Sequence, residues 1–283
     1  MAIITISRGC YSHGKEIAEK VAAKLGYECV SREILIEASH FFHVPEMKLL
    51  KSLHDAPSIL ERITHGEEMY LSFVQAALLE HAKNDNIVYH GHGGHLLMPE
   101  IPHVLKVRVM AELNQRIQLL QKFQKVSRDE ATAFIKKEDR ERAHWTQSLY
   151  KIDINDSQIY DIVLNIGRLT ISDACELLCA MAQSPTFKAT PASTKAIRDL
   201  ALSSRVRAAL QVVCKSEVSA NDGIVFVKVP AQKIRKTGYS SPKLQTFVKE
   251  RIREDLMKEI EGIVKTIPDI KEVVYEVDLP YYS

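Results

Sequence analysis

The 283-residue sequence has no C-x-x-C pair, no apolar stretch long enough to cross a bilayer, no block of like charge and only one tryptophan. Each absence removes a class of protein. Five cysteines (Cys10, Cys29, Cys175, Cys179 and Cys214) are odd in number, lack metal or redox spacing and sit mostly among apolar residues. They read as reduced thiols filling a core. With no signal peptide and no spanning segment, the expected compartment is the cytoplasm. The 38 basic and 36 acidic residues are interspersed and leave a formal charge of +2. Nothing in that balance builds a surface for nucleic acid, which is not expected as a partner. There is no long repeat and no low-complexity tract. What remains is ordinary globular composition, 46% apolar and 26% charged, enough for one large or two ordinary domains.

Read along the chain, apolar runs of strand length alternate with helical periodicity. Ile3 to Ile6 predicts a buried strand, and Ile17, Ala18, Val21, Ala22 and Leu25 recur at helical spacing until Gly26 stops them. Further strands are expected at Tyr27 to Val30, Ile87 to Tyr89, Leu105 to Met110 and Ile159 to Leu164. Helices are expected between them, including a charged one over Asn114 to Arg142 and one opened by the capping pair Thr170 and Asp173. This alternation predicts an α/β fold, a parallel sheet covered by helices with ligands beyond the carboxyl ends of its strands. At "QSPTFKATPASTK" the periodicity gives way to Pro, Ser and Thr. The division expected is residues 1–184 as the first domain, 185–200 as a linker and 201–283 as a small α+β module.

Two glycine-rich loops follow strands. Gly9, Gly14 and Lys15 fit the phosphate-loop spacing G-x-x-x-x-G-K-[ST], but Glu16 stands where that pattern has a magnesium-binding hydroxyl. Such a loop would present backbone amides and the positive end of a helix to phosphates, with Lys15 as a point charge. Ser12 and Ser7 are the nearby hydroxyls that could hold Mg²⁺ instead. The second loop, His90 to His95, contains H-x-H, which is open both to a metal reading and to an irregular glycine turn without a carboxylate. The basic run Lys136 to Arg142 is open to a solvated helix face as well as to a functional lid. Trp145 could stack on a base or pack the lid helix.

Taken in order, "ITISRGCYSHGKEIAEKVAAKLGYECVSREIL", "IVYHGHGGHLLMPEIPHVLKVRVMA", "FIKKEDRERAHW" and "YDIVLNIGRLTISDACELL" resemble the cytidylate kinase-like family of phosphate-loop nucleoside monophosphate kinases. The resemblance implies transfer of the ATP γ-phosphoryl, with Mg²⁺, to a nucleoside monophosphate, CMP or dCMP above the others. It places Gly9, Ser12, His13, Gly14, Lys15, Glu16 and Arg168 at the nucleotide, and Arg32, Gly91 and His92 at the acceptor. Arg116 and Arg142 join Lys15 as catalytic residues, and Lys137 and Arg140 as basic residues of the lid. The sequence departs from the family at Ser31 for aspartate, at His92 for arginine, and at Tyr11 and His13 for loop glycines. Those departures support the rival reading, a nucleotide-binding regulatory protein that has lost catalysis and acts through its C-terminal module.

That module, over about Arg205 to Pro280, is similar to a BON domain through "VRAALQV", "DGIVFVKV" and "IVKTIPDIKEVVYEVDLP". The similarity implies a small ligand or phospholipid as partner, with packing or dimerisation as the alternative. The oligomeric state, a homo-oligomer included, stays open.

Overall fold

The structure is a computed structural model and describes residues 2–31, 33–43, 48, 66–235 and 241–282. Arg32, expected at the acceptor, lies outside the described residues. The chain divides into two compact units, residues 1–197 and 198–283.

In the first unit, β1 (Ile3–Arg8) leads into α1 (Gly14–Leu25), then β2 (Glu28–Val30), α2 (Glu33–Phe42) and α3 (Gly66–Ala82). β3 (Ile87–Tyr89), the short α4 (Gly94–Leu97) and β4 (Val104–Ala111) follow, then α5 (Leu113–Gln124), α6 (Arg128–Tyr150), β5 (Ile162–Ile166) and α7 (Ile171–Ala182). The strands form one sheet in the order β2-β3-β1-β4-β5, every neighbouring pair parallel. This is the α/β sheet the alternation predicts. Period-2 patterning sorts its faces: Ile4 and Ile6 of β1 and Leu105, Val107 and Val109 of β4 share a core with Ile17 and Val21 of α1 and Leu178 of α7. Burying each such aliphatic side chain is worth roughly 1.5–3 kcal/mol, which fixes the register of α1 under β1. Thr5 and Ser7 of β1 and Arg108 of β4 therefore lie on the other face.

Three boundaries differ from the sequence expectation. The helical stretch after Asn114 is two helices, because Lys125 turns left-handed (φ 55°) and Ser127 with Glu130 opens α6 as a capping box. The fifth strand starts at Ile162 and not at Ile159, because Asp156 caps a 3-10 turn over Ser157–Ile159. The Pro- and Ser-rich stretch at 185–200 holds a 3-10 turn (Pro185–Phe187), whose Phe187 is buried in the first unit's core, and the start of α8 (Pro191–Leu210). Pro191 stands at the first helical position, where its missing N–H costs nothing. In the second unit, β6 (Glu217–Asn221), β7 (Ile224–Val229) and β9 (Glu272–Val277) form a mixed sheet. It shares a core with Val206 and Leu210 of α8 and Ile260 and Val264 of α9 (Pro242–Val264). β8 (Lys233–Ile234) pairs in parallel with β10 (Tyr281–Tyr282). Among the described residues no helix is long and apolar enough to cross a membrane.

Candidate active site

The loop between β1 and α1 turns on residues that are not glycine. Tyr11 (φ 56°) and His13 (φ 64°) are both left-handed, a conformation that costs an L-residue roughly 1–2 kcal/mol and persists only where contacts hold it. Those contacts are present. The Tyr11 ring meets Phe134 of α6 edge-on at 6.4 Å, and its hydroxyl accepts from Gln124 of α5 at 2.9 Å. His13 Nδ1 lies 3.2 Å from Glu16, which also holds Lys20 at 2.8 Å. The hydrogen bond from Lys20 keeps the Glu16 carboxyl below the usual range, so it stays charged beside the imidazole. Gly14 is a close approach: a Cβ there would stand 2.6 Å from Cβ of Arg8.

The loop backbone is stitched to the α5–α6 hairpin by arginines. Arg116 Nε donates to Cys10 O at 2.6 Å, and its two terminal nitrogens hold Asp139 at 2.8 Å each. Arg142 donates to Arg8 O at 2.8 Å and lies 3.8 Å from Glu138. Arg8 donates in turn to His90 O at 3.3 Å. Burial first, and the charge of Arg142 second, lower the Arg8 pKa, the mark of cations crowded without enough anion. Burial pushes the Cys10 thiol up to about 11, so it is an inert packing group.

These side chains surround a cleft of about 280 Å³ beyond the carboxyl ends of β1 and β4. Arg8, Arg108, Arg116, Arg140 and Arg142 line it with a single carboxylate, Asp139. Nε of Arg108 and of Arg142 is buried with no hydrogen-bond partner among the described residues. Guanidinium donors of this kind, beside a glycine-bounded loop, suit the acceptor oxygens of an anion.

Of the residues expected from sequence, Gly9, Arg116, Arg140 and Arg142 line this cleft. Arg116, expected as a catalytic residue, bonds Asp139 and the Cys10 carbonyl through all three of its guanidinium nitrogens and so joins loop and hairpin. Lys15 stands on the exposed side of α1, 66% accessible and 3.7 Å from Glu19. Lys137 is exposed beside Glu141, and Arg168 is exposed past β5. His92 lies edge-on against Trp145 at 4.4 Å, and Gly91 is a close approach to the Tyr89 phenol, which a Cβ would strike at 2.0 Å. Trp145 itself is fully buried within α6.

The donor set does not fit a protein-held Mg²⁺. Ser12, expected as the substitute ligand, is 1% exposed and its Oγ bonds the carbonyls of Gly9 at 2.8 Å and Val109 at 3.1 Å. Buried and outside the lining of the cleft, that hydroxyl is not presented to a cation there. Ser7 Oγ accepts from Arg108 at 2.9 Å. Among the described residues no group of three or more His, Cys, Asp or Glu could hold a metal ion. No step of the chemistry is therefore assigned to a metal bound by this chain.

Sequence reasoning missed Arg8, Arg108 and Asp139. The signal for Arg108 was its place in "VLKVRVMA", where Lys106 and Arg108 alternate with valines and so share the face away from the apolar core.

The family model described as the cytidylate kinase-like family matches residues 3–168, well over half of the chain. No curated protein sequence matches. Among solved structures, the chain is similar to an uncharacterized protein from Eubacterium ventriosum at 16% identity, covering 65% of this chain and 99% of that one, with a TM-score of 0.49. It is similar to a shikimate kinase from Bacteroides thetaiotaomicron at 14% identity, 65% and 99% coverage and a TM-score of 0.41. A shikimate kinase from Acinetobacter baumannii in complex with shikimate follows at 13%, 66% and 96%, with a TM-score of 0.37.

Proposed function

This chain belongs to the cytidylate kinase-like family, and we propose on that footing that it transfers the γ-phosphoryl of ATP to a nucleoside monophosphate, with CMP and dCMP the first acceptors to assay. The observation that carries this reading is the cleft of converging arginines beside the β1–α1 loop. Phosphoryl transfer asks the protein for positioning and for cations around the moving charge, and little else. The loop from Gly9 to Gly14 and the start of α1 would cradle the donor phosphates. Lys15 would leave Glu19 for them, a small sacrifice because an exposed pair is worth about 1 kcal/mol at most. Arg140 and Arg142 would close over the transferring group, and Arg168 would serve the donor nucleotide. Mg²⁺ would arrive with the nucleotide and neutralise charge between its phosphates. ADP release measured across the common monophosphates, and across hydroxyl acceptors that are not nucleotides, tests the reading; no turnover by folded protein overturns it.

The rival reading has its own support. Arg116 is tied up with Asp139 and the Cys10 carbonyl, and the loop is pinned by Tyr11 and His13 where flexible glycines would serve a catalyst better. On this reading ATP binding is a signal, relayed to the BON-like module and to a small ligand or phospholipid there. Calorimetry separates the two, because tight ATP binding without turnover favours the regulator.

A further inference from the structure

The third-strand loop does not supply a fork of donors for an acceptor phosphate, since it carries His92, and His92 is packed against Trp145. We propose that Arg108, from the middle of β4, anchors the phosphate of the acceptor. The assignment rests on the phosphoryl-transfer reading and names the anchor that reading lacks.

Three observations support the assignment. Arg108 pairs in register with Ser7 across β1 and β4, and its neighbours Val107 and Val109 point into the core under α1 and α7. Its guanidinium thus lies on the face of the sheet away from α1, whereas the α1 N-terminus, the place for donor phosphates, approaches β1 from the other. An in-line transfer needs donor and acceptor on opposite sides of the moving group. Second, the side chain is 8% exposed yet lines the cleft, with Nε lacking any partner among the described residues. Third, it is pre-aimed: one terminal nitrogen donates to Ser7 Oγ at 2.9 Å and the guanidinium carbon sits 5.9 Å from the centre of the Tyr160 ring. Tyr160 is itself fixed by its hydroxyl, which donates to Ile154 O at 3.1 Å. A planar fork held on an aromatic face loses little freedom when it takes up an oxyanion.

Charge selects a phosphate dianion over a carboxylate. Asp139 offsets Arg116 and Glu138 lies 3.8 Å from Arg142, while Arg8, Arg108 and Arg140 remain around the same space. A single negative charge leaves that set undercompensated, and a phosphate monoester brings up to two.

The test saturates the protein with a non-hydrolysable ATP analogue, so that the donor site is filled, and then titrates inorganic phosphate and, separately, acetate by calorimetry. Parent protein should bind phosphate at least tenfold tighter than acetate. Arg108→Gln should weaken phosphate by tenfold or more while analogue affinity stays within threefold. Arg108→Lys, which keeps the buried charge and loses the fork, should fall between the two, and it reports on the assignment if Arg108→Gln fails to fold. Equal phosphate affinity in parent and variants overturns the assignment, as does an analogue loss that matches the phosphate loss. Acetate binding as well as phosphate overturns the ligand class. Failure of the parent to bind the analogue at all is a different result: it removes the phosphoryl-transfer reading and this inference with it.

Discussion

Arg116 on α5 holds Asp139 on α6 by two parallel hydrogen bonds of 2.8 Å, while its third nitrogen, Nε, donates to Cys10 O in the β1–α1 loop at 2.6 Å. A carboxylate is thereby held in a cleft whose other charged lining residues are all arginines. It supports the loop and at the same time competes with whatever phosphate enters.

Replacing Asp139 by Asn separates those effects. The amide can keep one hydrogen bond to Arg116 but removes a negative charge some few ångströms from the incoming phosphates, an interaction of about 1–3 kcal/mol at the effective dielectric of such a site. We expect affinity for an ATP analogue, measured by calorimetry, to tighten roughly tenfold, equivalent to about 1.4 kcal/mol. The melting temperature should drop by a few degrees, since a part-buried ion pair is lost. Weaker binding would show that the carboxylate acts chiefly by aiming Arg116.

The loop supplies a second comparison. His13 and Tyr11 share the left-handed conformation but not its compensation: His13 has the part-exposed contact with Glu16, and Tyr11 has Phe134 and Gln124. His13→Gly should therefore leave stability unchanged or raise it by about 0.5–1 kcal/mol, because the backbone strain it relieves exceeds the contact it loses. Tyr11→Gly should cost about 1–2 kcal/mol, through lost ring packing on the α5–α6 hairpin. Urea unfolding of both variants checks the order, and a larger loss at His13 would reverse the argument.

The architecture of the first unit was legible because it is written in local periods. β1, α1, β3 and the capping pair of α7 fall where apolar spacing and the Thr170–Asp173 pair put them. Of the residues lining the cleft, Gly9, Arg116, Arg140 and Arg142 were legible in the sequence. Arg108 and Asp139 were not, since a cation within a strand and a carboxylate within a charged helix acquire meaning only when β4 and α6 meet over the loop. The inward turn of Ser12 was equally invisible, because the carbonyl of Val109 that receives it is 97 residues away. The 185–200 stretch misled through composition, since Pro191 is a helix starter at the first position and a breaker elsewhere.

Gly14 and Gly262 give opposite outcomes for one substitution. An alanine Cβ at Gly14 would stand 2.6 Å from Cβ and 2.8 Å from Cδ of Arg8, at the point where β1 and α1 diverge. The strand and helix must part, which costs about 1–3 kcal/mol and displaces the start of α1 from the cleft. At Gly262, an exposed interior position of α9, nothing lies within 4 Å of the added methyl. There alanine should stabilise by about 0.5–1 kcal/mol through helix propensity. Thermal melts should move in opposite directions, and analogue binding should suffer only in Gly14→Ala.

His95 makes the stability of the first unit depend on pH. Its ring is 4% exposed, lies 4.8 Å from the Tyr160 ring, and has no hydrogen-bond partner on either nitrogen among the described residues. Burial, aided by the charges of Lys106 and Arg108, lowers its pKa to about 4. The unfolded chain takes up the proton near pH 6.5, so between those values the unfolded state binds more protons than the folded one. Stability is therefore fully present above about pH 6.5 and is lost as pH falls toward 4. The loss is about 3 kcal/mol at the limit, and the slope is steepest near the middle of the window. His95→Phe keeps a ring against Tyr160 and removes the titration. Urea unfolding at pH 7.5 and at pH 5 should show a drop of roughly 2 kcal/mol in the parent beyond that in the variant. Equal drops in the two proteins would mean that the ring is protonated in the fold, with a partner that neutral packing does not provide.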